Sequence, residues 1–177
     1  MFGHSRIVQF AAFLALAAPA LAEVYRMDFR SPGQIQEDEG FVARNPDGEG
    51  SVLEHVKNTL GDDDPWVSTT TDYSVAKGGA LSPSEVYVYY ISENGVKFVD
   101  TIKAFKDAGE PHPKPGEKEW SVKGKIDWDS IIKWDVIVRG TVKRTVTRDD
   151  FEDGEDEEED DDKKRSVRLV RSVKFRA

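Results

Sequence analysis

From Val24 to Phe29 apolar and polar positions alternate. Tyr25, Met27 and Phe29 fall on one side, Val24, Arg26 and Asp28 on the other. A period of two predicts a strand with Arg26 on the face opposite Tyr25, ended by Pro32-Gly33. Ser51-Val52-Leu53-Glu54 has capping-box spacing and opens a predicted helix. That helix has Val52, Val56 and Leu60 along one side and Gly61 at its end. A short strand is expected over Trp66–Thr70, then a short helix over Asp72–Lys77 stopped by Gly78-Gly79. Glu85–Ser92 carries the strongest strand pattern, being rich in β-branched and aromatic residues. Asn94-Gly95 predicts a hairpin turn into Val96–Val99, and Thr101 is expected to cap a helix through Ala108. After a Pro-rich loop over Glu110–Gly116, strands are predicted around Trp120 and over Ile131–Val138. Val142–Thr147 and Val167–Phe175 alternate apolar with basic or hydroxyl residues, as a hairpin with one wet face would. The sum is an α+β chain with short helices early and strands dominating late.

Composition changes this picture at both ends. Met1 to Ala22 joins a weakly basic start, an apolar run over Ile7–Ala18 and a small-residue site at Ala20-Leu21-Ala22. This is the layout of a secretory signal peptide over 1–22, with an apolar run too short for a permanent membrane span. The chain has no cysteine, so an exported product must be held by packing alone. The net charge of −9 is a local matter. Asp149 to Asp162 holds 12 of the 34 acidic residues, leaving 22 against 25 basic ones elsewhere. A block of like charge reads as a solvated, disordered acidic loop over 149–165, followed by a basic C-terminal strand over 166–177 that packs back on the domain. That loop could mask a basic surface or dock to a basic partner. Its spacing does not fit a calcium loop, and no metal is expected.

Three local features remain. They are Tyr25-Arg26-x-Asp28, Val67-Ser68-Thr69-Thr70, and Glu117-x-Glu119 after Pro111-His112-Pro113. Each alone has an ordinary explanation as a solvated strand residue, a strand hydroxyl or a wet strand face. Together they suit a dinucleotide. An arginine clamps a phosphate, and hydroxyls orient a ribose or a carboxylate. Two carboxylates about 6–7 Å apart on one strand face divide stabilisation of an oxocarbenium ion from base catalysis.

In this order the features resemble the A-chain of the cholera toxin and heat-labile enterotoxin family of mono-ADP-ribosyltransferases. Arg26, Asp28, Arg30 and Pro32 match its Arg-x-Asp-x-Arg-x-Pro run. Ile35 and Gly40-Phe41 match its next turns, and Leu53-Glu54-His55 matches its helix bearing a histidine. Val67–Thr70 matches its Val-Ser-Thr-Ser strand, with threonine for the last serine. Pro111-His112-Pro113 and Glu117-Lys118-Glu119-Trp120-Ser121 match its later segments, with Lys114-Pro115-Gly116 as extra length between them.

The resemblance implies an ADP-ribosyltransferase-like domain over 23–148 with a mostly antiparallel split β-sheet core and NAD as substrate. It implies catalytic Glu117, Glu119 and Ser68, and cofactor-binding Arg26, Asp28, His55, Ser68, Thr69 and Thr70. Glu119 would stabilise the oxocarbenium ion. Glu117 would take the proton of the acceptor, and glutamate at that position goes with arginine of a host target protein. The toxin's disulfide-bearing tail is absent, so no receptor-binding pentamer is implied. Transfer to a nucleic-acid base, or a secreted binding module with a dead site, are the alternatives.

Overall fold

The computed structural model describes residues 23–154. The expected signal peptide at 1–22, the remainder of the acidic run and the basic strand over 166–177 lie outside the described residues. Among the described residues no helix is long and apolar enough to cross a membrane.

The strands are β1 (Glu23–Asp28), β2 (Gly40–Val42), β3 (Trp66–Thr70), β4 (Val86–Ser92), β5 (Phe98–Asp100), β6 (Glu119–Lys123), β7 (Lys125–Asp127), β8 (Ile131–Val138) and β9 (Thr141–Thr147). The helices between these strands are α1 (Pro32–Glu37), α2 (Val52–Val56), α3 (Tyr73–Gly78) and α4 (Thr101–Asp107). Seven strands form one sheet in the order β5-β6-β3-β1-β4-β8-β9, and β2 pairs with β7 in a second. All these pairs are antiparallel.

The large sheet is split. β1 pairs with β4 at six positions, yet meets β3 only at Tyr25 opposite Thr70. Beyond that point the halves β5-β6-β3 and β1-β4-β8-β9 diverge, and a cleft opens at the seam.

β4 is central and buried on both faces. Tyr87, Tyr89 and Ile91 join Phe41, Ile126, Trp128 and Trp134 in the larger core, while Val86 and Val88 join Ala76, Ala80 and Ile137 in the smaller one. This two-sided burial is why the segment reads as continuously apolar. Gly40 opens β2 where β7 passes so closely that a Cβ would lie 2.1 Å from the Ile126 carbonyl oxygen, and its φ of 128° is one that L side chains rarely adopt.

Several expectations are corrected. Pro32-Gly33 does end β1, but as the first turn of α1. Ser31 caps that helix reciprocally with Gln34. The turn at Asn94-Gly95 forms, but it does not return the chain along β4. β5 instead pairs with β6 at the far edge of the sheet. The cap of α4 is Asp100, which accepts from the Lys103 N–H, and Thr101 is turned inward. The first residues of the acidic run are helical, not a loop, with helical backbone over 148–154. Phe151 explains this. It packs edge-on against Trp134 at 5.2 Å, and Glu152 next to it accepts from the Trp128 indole at 2.7 Å.

Candidate active site

Arg26 closes the seam where the backbone ladder stops. Its Nη1 donates to the Ser68 carbonyl on β3 at 2.7 Å, in place of a strand-to-strand hydrogen bond. Asp28 holds it from behind. One carboxylate oxygen accepts from Arg26 at 3.3 Å and from Arg30 Nη2 at 2.9 Å. Both guanidinium groups lie over the Phe41 ring, 5.1 and 5.7 Å from its centroid.

Register builds the next layer. On the antiparallel β3–β6 pair, Ser68 stands opposite Ser121 and Thr70 opposite Glu119. Opposed residues share a face, so Ser68, Thr70, Glu119 and Ser121 converge. α2, fixed by the Ser51–Glu54 capping box, brings His55 over them. His55 Nε2 lies 2.9 Å from Ser68 Oγ and 3.1 Å from Glu119 Oε1, and Nδ1 lies 2.7 Å from Asp64 Oδ2. The Ser121 hydroxyl donates to the same Glu119 oxygen at 3.1 Å.

The charges are mutually dependent. Burial alone would lower the His55 pKa, but hydrogen bonds with Glu119 and Asp64 outweigh it and hold it above the ordinary value. Burial alone would raise Glu119. Bonds from His55, Ser68 and Ser121 instead hold its carboxyl below the usual range. The arrangement keeps an ionised carboxylate in a nearly dry place.

A cleft of about 630 Å³ runs along the seam, lined in part by Arg26, His55, Ser68, Thr69, Thr70, Glu117 and Glu119. Seven of the eight residues expected at the site are thus in one place. The exception is Asp28, which does not line the cleft and acts on Arg26 and Arg30. The threonine hydroxyls are spent as braces. Thr69 donates to the Trp120 carbonyl at 2.6 Å and Thr70 to the Glu117 carbonyl at 2.7 Å.

Glu117 and Glu119 do not share a strand face. Glu117 ends a 3-10 turn over Pro115–Glu117, and Lys118 follows at φ 46°, ψ 43°. That left-handed residue bends the chain, so only Glu119 enters β6. Glu117 is half-exposed and paired with Lys114 at 3.4 Å.

The sequence reading missed Asp64, hidden in the Asp62-Asp63-Asp64 run and lacking any periodic signal. It also missed Ser121, two residues beyond Glu119 and therefore on the same strand face. Among the described residues no group of three His, Asp or Glu side chains is placed to hold a metal ion.

The heat-labile enterotoxin alpha chain family matches residues 4–155. A Vibrio cholerae protein named NAD(+)–arginine ADP-ribosyltransferase Chelt is 29% identical, over 70% of this chain and 23% of its own length. The chain thus spans less than a quarter of that relative. A heat-labile enterotoxin structure superposes with a TM-score of 0.57 at 21% identity, covering 71% of this chain and 73% of its own. A structure described as a guanine-specific ADP-ribosyltransferase superposes at 0.58 with 26% identity, covering 72% and 76%. The split antiparallel sheet is therefore the ADP-ribosyltransferase fold, and NAD is the substrate of such enzymes. By fold, by the order of its arginine, serine and glutamate segments, and by the extent of the match, this chain belongs to the heat-labile enterotoxin alpha chain family.

Proposed function

We propose that this chain transfers ADP-ribose from NAD to an arginine side chain of a target protein, with NAD hydrolysis as its basal activity. The observation that carries the reading is the His55–Ser68–Glu119 network, which keeps one carboxylate ionised at the seam. As the bond from ribose C1′ to nicotinamide breaks, nicotinamide leaves with the electron pair and positive charge develops on the sugar. Glu119 faces that charge, held by hydrogen bonds formed before the reaction begins. Arg26 meets the phosphates, and His55 and Ser68 keep the carboxylate aimed. The acceptor guanidinium attacks C1′ and gives up one proton to Glu117. Water that attacks C1′ instead passes its proton to solvent and gives free ADP-ribose. The test is nicotinamide release and labelling of agmatine by wild type and Glu119→Gln. Equal rates in the two would sink the proposal.

The guanine-specific structural relative favours a second reading, transfer to a nucleic-acid base. Incubation with labelled NAD and a cell extract separates the two, since one labels protein and the other DNA. The amino-terminal pattern supports export as a toxin or effector. Protein recovered from the medium would then begin at Glu23.

A further inference from the structure

His112 sits in the loop before Glu117, and its two ring nitrogens have opposite duties. The Lys114 backbone N–H donates to Nδ1 at 3.0 Å. The buried Thr101 hydroxyl donates to the Glu119 carbonyl at 2.8 Å. Its single proton is thereby used, so the 3.0 Å contact to His112 Nε2 has the imidazole as donor. Only the neutral ring with its proton on Nε2 satisfies both contacts. The ring also stands edge-on to Phe105 of α4, 4.7 Å between centroids.

From this geometry we infer that His112, in its neutral form, is the positioning residue that fixes the loop carrying Glu117. Transfer to an acceptor therefore requires neutral His112, and NAD hydrolysis does not. The proposal rests on Glu117 serving the acceptor, as argued above. A second ring proton would set Nδ1–H against the Lys114 N–H, two donors face to face, and the loop would leave α4. Glu119 would stay, because β3, Ser121 and His55 hold it independently. The charged groups near this contact are two ion pairs. Lys57 lies over the same Phe105 ring at 5.6 Å and pairs with Glu110, and Lys114 pairs with Glu117. Both pairs are internally neutralised.

The full chain is assayed from about pH 8 down to about pH 5, the range in which histidines change charge. Nicotinamide release without acceptor and agmatine labelling are followed side by side. In wild type the ratio of transfer to hydrolysis is expected to fall about tenfold on acidification, the effect of losing one well-made hydrogen bond and its partner. His112→Asn, whose side-chain oxygen can still accept from Lys114, should keep a ratio that no longer varies with pH. His112→Ala should raise the agmatine KM about tenfold at every pH, with hydrolysis within about twofold of wild type. Amide hydrogen exchange over residues 112–118 gives a readout that needs no acceptor, and protection should fall with acid in wild type and not in His112→Asn. A wild-type ratio and exchange pattern that are both flat with pH would overturn the inference. If wild type releases nicotinamide but never labels agmatine, the arginine reading fails, and the exchange pattern alone still decides the role of His112.

Discussion

Glu119 and Glu117 lie two residues apart and are held by opposite means. The Glu119 side chain is 10% exposed and bonded to His55 and Ser121, and its backbone is paired to β3. Glu117 is 48% exposed, and its side chain touches one lysine of its own loop. Its backbone is anchored through Thr70, and Lys118 beyond it pairs with Asp72 at 2.8 Å. On the proposed function this difference suits two tasks. A group that meets charge on a leaving sugar gains from a fixed, dry setting. A group that meets an acceptor of another molecule must be reachable.

Breaking the rigid half should have the largest effect. Glu119→Gln removes the charge and keeps the shape, and nicotinamide release is expected to fall by about 10²–10³-fold, measured as kcat. Glu117→Gln should lower agmatine labelling by about 10²-fold and leave NAD hydrolysis nearly unchanged. A matched loss of both activities would show that the two carboxylates are not divided in this way.

His55→Ala tests how much the rigid half depends on one side chain. It strands Glu119 and Asp64 in a nearly buried place, so unfolding in urea should show a loss of about 2–3 kcal/mol. The pH dependence has a definite sign. His55, raised on folding, stabilises fully below about pH 6.5, and this contribution is lost as pH rises through its folded pKa. Glu119, lowered on folding, stabilises above about pH 4.3, and this is lost as pH falls through its folded pKa. His55→Ala should therefore remove the alkaline decline expected of wild type, which a urea series across pH reads directly.

The smallest effect sharpens the exposed half. The Lys114–Glu117 pair lies at the surface, where such contacts contribute little. Lys114→Gln is expected to lower the agmatine KM by about two- to threefold, because an acceptor cation would no longer compete with a tethered one. Its melting temperature should match wild type.

Much of this was legible from residues alone, and the misses have local causes. β1, β3, β4 and β8 carried periodicity or continuous apolar runs because burial on one or both faces dictates every position. β5 was assigned to the wrong neighbour because Asn94-Gly95 encodes a reversal but not a partner. Pairing is decided by β6, which lies more than twenty residues further on. β2 and β7 are three residues each, too short for any period to register. The acidic run hid a helix because charge outweighed its one aromatic residue, Phe151. The i, i+2 spacing of the two glutamates suggested a common face, and a single left-handed residue, Lys118, made it a bend. Asp64 gave no sign, since a third aspartate in a row carries no pattern that marks it as the partner of His55.

The interleaving of the two half-sheets also bears on when the site can first exist. β1 leaves the ribosome first but pairs with β4, and β4 is covered by β8, which ends at Val138. β3 waits in the same way for β6, which brings Glu119. No amino-terminal fragment that ends before β8 holds both half-sheets complete. A growing chain therefore carries Arg26, His55 and Ser68 before it can assemble the cleft around them, and the pocket forms only once β6 and β8 have been made.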